Sequence, residues 1–257
     1  MTFADATLAR RLESAEAANA RGCASQPGAA AIDAAGGCAI FLGAESPLTH
    51  AVAIGLNGPV APTELYRIEE FFRSRSARVT IDLCPLADAG LVELLAARGY
   101  RPTEFNNVLV KRLGGAEMTL TPRIRRAMPG ESDLWSHTVG EGFFEQPELT
   151  TEEMEVGRAI FAMQGAFCYM AVTEGGAPAG GGAATFRDGL ATFFADSTIT
   201  ARRRLGLHRE LIAARLNEAI AQGCEMATAS TLPGSGSQRN YERLGFEVVY
   251  TKVTLSR

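Results

Sequence analysis

The sequence predicts an α/β chain with α+β mixed sheets: two similar units, each a mostly antiparallel sheet flanked by helices. Three observations carry this. Short apolar segments with strand character alternate with longer ones whose apolar residues recur at three and four positions. The two halves repeat one order of strand, long helix, short strand, loop, short helix and final strand. In each half the short helix ends in Gly followed by an aromatic, LAARGY at 95–100 and YERLGF at 241–246. With 257 residues, 46% of them hydrophobic, the chain can fill one large core or two small ones.

Residues 3–20 mix Asp5, Arg10, Arg11, Glu13 and Glu16 with apolar positions. That is an amphipathic helix, not an apolar-centred signal peptide. An Ala/Gly/Pro-rich loop should follow, then strands in CAIFLG and THAVAIGLN. Leu65, Ile68, Phe71 and Phe72 mark a helix in APTELYRIEEFFRSRS. VTIDLCP reads as a strand closed by Pro85, DAGLVELLAARGY as a helix stopped at Gly99, and FNNVLVKRL as a strand. LGGAE at 113–117 reads as a linker, which divides the chain into domains 1–115 and 118–257.

In the second half PRIRRAMP is a strand stopped by Pro129, and ESDLWSHTVGEGF and TTEEMEVGRAIFAM are helices. AFCYMAVTEGG and GGGAATF form a hairpin turning at 175–178. GGAPAGGG lacks the Lys-Ser/Thr of a nucleotide phosphate loop, so it reads as that turn. Asp188-Gly189 turns the chain into LATFFADSTI, because both positions favour positive φ. A helix follows over about 206–222, with Leu207, Leu211, Ile212, Leu216 and Ile220 on one stripe and Gly223 as its stop. EMATAST is a strand, QRNYERL a short helix and FEVVYTKVTL the last strand.

The formal net charge of -4 gives no long-range attraction for nucleic acid, and no apolar run reaches the ~20 residues that span a bilayer. The chain reads as cytoplasmic, without nucleic-acid or membrane partners. Five scattered cysteines, an odd number with no CxxC, and three histidines argue against a disulfide framework or a metal site. The cysteines are expected as reduced core residues.

Chemistry concentrates between residues 196 and 246. RRRLGLHRE at 202–210 opens a helix after a strand. A helix N-terminus offers unpaired N–H groups and partial positive charge, a ready anion site. Gly206 permits close backbone approach, and Arg202 to Arg204 add charge. Tyr241 follows one α/β unit later.

Here the chain resembles the GNAT acetyltransferase superfamily, over about 118–257. Arg203-Arg204-Leu205-Gly206-Leu207-His208 fits the first four positions of that family's Arg/Gln-x-x-Gly-x-Gly/Ala loop, and Tyr241-Glu242-Arg243-Leu244-Gly245-Phe246 supplies its Tyr-x-x-x-Gly-Phe. His208 departs at the last loop position. Gly234 stands where many relatives carry Asn, with Asn240 beside Tyr241. The resemblance implies an N-acetyltransferase that uses acetyl-CoA as co-substrate. Ser197, Thr198, Ile199 and Thr200 would bond the pantetheine through their backbone. Arg203, Arg204, Leu205, Gly206, Leu207 and His208 would cradle the pyrophosphate, with Asn240 nearby. Tyr241 would protonate the departing thiolate, and Asp196 is the best-placed carboxylate to act as base. The expected acceptor is a primary amine of a small molecule, attacking directly in a ternary complex of a monomer or homodimer. Glu141, Glu145, Phe143, Phe144 and Trp135 would line its site. The first half has no such loop: GLNGPVAPTEL stands in its place and Leu95 matches Tyr241. It reads as a degenerate unit without cofactor. The rival reading, from His208 and Gly234, is a CoA-binding sensor or scaffold without turnover. A third is a partner-binding protein that has lost the cofactor.

Overall fold

A computed structural model describes residues 4–114, 118–119 and 121–257. Residues 115–117 of the predicted linker, and Phe3 at the predicted start of the first helix, lie outside the described residues. Two compact units form. One runs up to Val108 and includes Val248–Arg257; the other is Leu109–Glu247. The final strand therefore belongs with the first unit, whereas the sequence division at 115/118 assigns it to the second. Its pairing partner, some 170 residues earlier, leaves no local mark in the sequence.

In the first unit, helix α1 (Ala6–Cys23) precedes strands β1 (Ala30–Ala34), β2 (Gly37–Phe41) and β3 (His50–Val52). Helix α2 (Pro62–Arg73), strand β4 (Thr80–Leu83), helix α3 (Ala89–Ala97) and strand β5 (Arg101–Arg112) follow. β1 lies in the stretch expected as loop. It pairs with β2 across Ala35 and Gly36, both at positive φ. β3 and β4 run parallel, and the last strand of the chain, Glu247–Ser256, pairs antiparallel with β4 from Val253↔Leu83 to Ser256↔Thr80. Leu65, Ile68, Phe72, Ile81, Leu91 and Leu95 fill the core on the α2/α3 side, as the helical spacing requires. The parallel pair is shut at its C-terminal end. Asp88 N–H donates to the Gly55 carbonyl at 2.9 Å, and a Cβ on Gly55 would meet Leu91 at 2.8 Å and Val60 at 3.2 Å.

The second unit begins within β5 and continues with strand β6 (Ile124–Arg126) and helices α4 (Ser132–Phe144) and α5 (Thr151–Ala162). Thr150 caps α5, accepting from Glu153 N–H at 3.2 Å while the Glu153 carboxylate accepts the Thr150 N–H at 2.7 Å. Strands β7 (Phe167–Val172), β8 (Pro178–Arg187) and β9 (Leu190–Thr198) form successive hairpins, and Asp188 and Gly189 adopt the expected positive φ of 49° and 73°. Helix α6 (Leu207–Ala221), strand β10 (Met226–Thr231) and helix α7 (Gly236–Arg243) lead into the final strand, β11. β6 to β9 pair antiparallel in sequence order, and β10 lies parallel beside β9. Leu109, Phe193, Ile212, Leu216, Tyr241 and Phe246 share the core under α6 and α7. Among the described residues no helix is long and apolar enough to cross a membrane.

Candidate active site

The parallel ladder of β9 and β10 runs from Leu190↔Met226 to Phe193↔Ala229, yet β9 continues to Thr198 and β10 to Thr231. Past Phe193 the strands part. The cause lies in β9: Ala195 takes φ 56°, and the β8–β9 register shifts between Gly181 and Ala183. This bulge re-aims the residues that follow. Asp196 is turned toward α6 and α7. At the end of each strand a buried hydroxyl, Ser197 Oγ and Thr231 Oγ1, has no hydrogen-bond partner. Ile199 N–H donates to the Ala179 carbonyl at 3.0 Å, so that amide is committed to β8.

At the mouth of the parting, Thr200–Arg202 form a 3-10 turn and Gly206 caps α6 at φ 81°. Such a φ is open to glycine at little steric cost. Arg204, at φ 67°, shares the left-handed region. The first turn of α6 leaves N–H groups without intrahelical acceptors. Its carboxylate, Glu210, is paired with Arg123 and accepts from Thr121 Oγ1 at 2.5 Å. Arg203 is occupied: Nε donates to the Thr198 carbonyl at 3.2 Å, Nη2 to the Gly142 carbonyl at 3.0 Å and Nη1 to Glu145 at 2.6 Å. It ties the loop to the end of α4. Arg202 and Arg204 are exposed, with no side-chain partner among the described residues.

His208 resolves the departure at the end of the loop motif. Its imidazole turns inward, where Nδ1 lies 3.0 Å from Asn240 Nδ2 and Nε2 lies 3.5 Å from Asp196 Oδ1. Arg243 Nη1 donates to Asn240 Oδ1 at 3.3 Å, which fixes the amide so that its NH2 faces the ring. Nδ1 then accepts, and the neutral ring carries its proton on Nε2, facing Asp196.

Asp196 gathers the cluster. Arg215 and the Tyr241 hydroxyl both donate to it. Arg215, which the sequence reading passed over, is fully buried on α6. It also donates to the carbonyls of Leu211 at 3.1 Å and Ala183 at 3.0 Å, and its guanidinium lies 4.8 Å from the Phe193 ring centre. The signal was present: Arg215 continues the i, i+4 line of Leu207 and Leu211, and a charge on an apolar stripe requires a buried partner. Burial alone would raise the Asp196 carboxyl, but Arg215, with His208 and Tyr241, holds it well below the usual carboxylate range. Tyr241 has no exposed surface and packs edge-on against Phe246 at 4.9 Å. Burial, then the Asp196 charge, pushes its phenol well above the ordinary value.

The residues expected to line an acceptor site divide. Trp135 is core, its Nε1 donating to the Tyr169 carbonyl at 2.9 Å. Phe143 is exposed and meets Phe144 edge-on at 5.1 Å. Glu145 is the partner of Arg203, and Glu141 lies 3.9 Å from His137.

No protein-family model matches the chain, and no curated protein matches it. Solved structures do. A GCN5-related N-acetyltransferase from Kribbella flavida superposes with a TM-score of 0.70 at 20% identity, covering 97% of this chain and 95% of that one. A tandem GNAT protein from the clavulanic acid biosynthesis pathway gives 0.64 at 15%, covering 98% and 94%. A GCN5-related N-acetyltransferase from Sphaerobacter thermophilus gives 0.53 at 17%, covering 72% and 62%. The fold is that of the GNAT acetyltransferases.

Proposed function

We propose that the Leu109–Glu247 unit is a cytoplasmic acyltransferase that takes acetyl-CoA between β9 and β10 and passes the acetyl group to a primary amine of a small molecule. The observation that carries this is the parting of β9 from β10 with the N-terminus of α6 at its mouth. The residues there fit the cofactor. The β9 edge beyond Phe193, where the ladder to β10 ends, offers backbone groups to an amide-bearing arm. N–H groups from Arg204 to His208, with Arg202 and Arg204, suit a diphosphate. Bound there, acetyl-CoA would supply an activated thioester. Backbone donors stabilise charge developing on its oxygen, and Tyr241 is the hydroxyl for the sulfur. An amine of pKa ~10.4 must arrive deprotonated, so turnover should rise with pH across neutrality. The first unit, with Asp88 bonded to Gly55 across its parallel pair and Pro62 at the start of α2, would hold no cofactor.

The test supplies acetyl-CoA with a panel of amines and follows free thiol. Turnover that falls on the order of a hundredfold in Tyr241→Phe supports the proposal. A Tyr241→Phe variant as fast as the parent removes Tyr241 from it. A second reading, CoA binding without turnover, is favoured by the burial of Tyr241 and the engagement of its hydroxyl with Asp196. CoA binding by calorimetry with no thiol release from any amine would select it.

A further inference from the structure

Asp196 has a donor on each oxygen, and its side chain is 12% exposed. Arg215 and Tyr241 donate to it, and the Nε2–H of His208 faces Oδ1 at 3.5 Å. A Cβ on Gly182 would stand 2.9 Å from Oδ1, so β8 closes another side. A general base must reach the proton it removes, directly or through one water. Both oxygens of this carboxylate are already engaged, by Arg215 and by Tyr241, and its charge is committed to Arg215.

Resting on the acetyltransferase reading above, we propose that Asp196 is a positioning residue. It parks the Tyr241 hydroxyl proton, and Arg215 keeps its charge paired when that proton leaves. Rotation of the phenolic O–H about its C–O bond then aims the proton at the sulfur. Arg215 remains on Asp196, so the turn strands no unpaired buried charge. The balance closes on the substrates: the carbon–nitrogen bond forms and the carbon–sulfur bond breaks. The phenol proton passes to sulfur and is replaced by one from the attacking nitrogen. Tyr241 is neutral before and after, which suits a phenol that burial and Asp196 hold protonated. The imidazole that stands where the family's loop has a small residue also turns inward, its Nε2 3.5 Å from Asp196 Oδ1.

Two readouts test this on the full chain. The first is ultraviolet difference titration of the wild type against Tyr241→Phe, which isolates one of the five tyrosines. The Tyr241 signal should be missing until the protein unfolds at high pH. A transition near ~10 in folded protein would overturn the proposal. The second is the pH profile of kcat/KM in Asp196→Asn/Arg215→Gln, which removes both charges and keeps hydrogen-bonding groups. Turnover should fall on the order of tenfold to a hundredfold, with KM for acetyl-CoA within about twofold and the acid limb unmoved. Loss of the acid limb would make Asp196 the titrating base and overturn the proposal. If the double variant does not fold, Asp196→Asn alone takes its place in the pH profile, beside the wild-type titration. That titration needs no substrate, so a chain without turnover on any amine defeats the transferase reading while the parking of Tyr241 is judged separately.

Discussion

A Cβ added to Gly182 would stand 2.9 Å from Asp196 Oδ1 and 3.0 Å from the Arg215 guanidinium. The middle of β8 is thus bare so that a buried ion pair can lie against it. Gly182→Ala should force the pair apart and lower stability by about 1–3 kcal/mol. Urea unfolding followed by circular dichroism checks this. A midpoint equal to the parent's would mean that the pair shifts without cost.

Tyr250 donates to Glu13 Oε1 at 2.7 Å, while Glu13 Oε2 is buried without a partner. Burial, partly offset by the Lys252 charge, pushes this carboxyl up to about 7. A proton held more tightly in the folded state gives stability that is complete below the unfolded value of ~4.3 and lost as pH rises through about 7. Glu13→Gln should therefore abolish a decline in unfolding free energy between pH 5 and about 8, and exceed the parent at the upper end. Asp82 runs the other way. Against the effect of burial, His50 3.1 Å away and Lys252 hold it down to about 2, so its contribution fades only as pH falls below ~3.9.

Arg203 and its neighbours should behave differently. Arg202→Ala/Arg204→Ala removes exposed charge beside the α6 N-terminus and should weaken CoA binding about threefold to tenfold at low salt, with the gap closing as salt rises. Arg203→Ala removes contacts to Thr198, Gly142 and Glu145 instead. Its effect should resist salt and include a lower melting temperature. Calorimetry of CoA at two salt concentrations separates them.

The elements around the site were legible because each has a local cause. Positive φ at Asp188 and Gly189, the Gly223 stop and the apolar stripe of α6 all follow from residues within a turn of one another. β1 was not legible, since Ala30–Ala34 sits in an Ala/Gly-rich run and its turn uses Ala35 at φ 48°. The membership of β11 depends on β4, far away in sequence. Within the site, the loop motif and Tyr241 could be read directly. The grip of Arg215 on Asp196 could not, because it depends on the bulge at Ala195.

The most direct measurement is a crystal saturated with acetyl-CoA. The diphosphate should lie on the N–H groups between Arg204 and Arg209, the pantetheine arm along β9 beyond Phe193, and the sulfur within reach of the Tyr241 hydroxyl. An empty mouth at α6, with β9 and β10 unchanged under saturating cofactor, would contradict that placement.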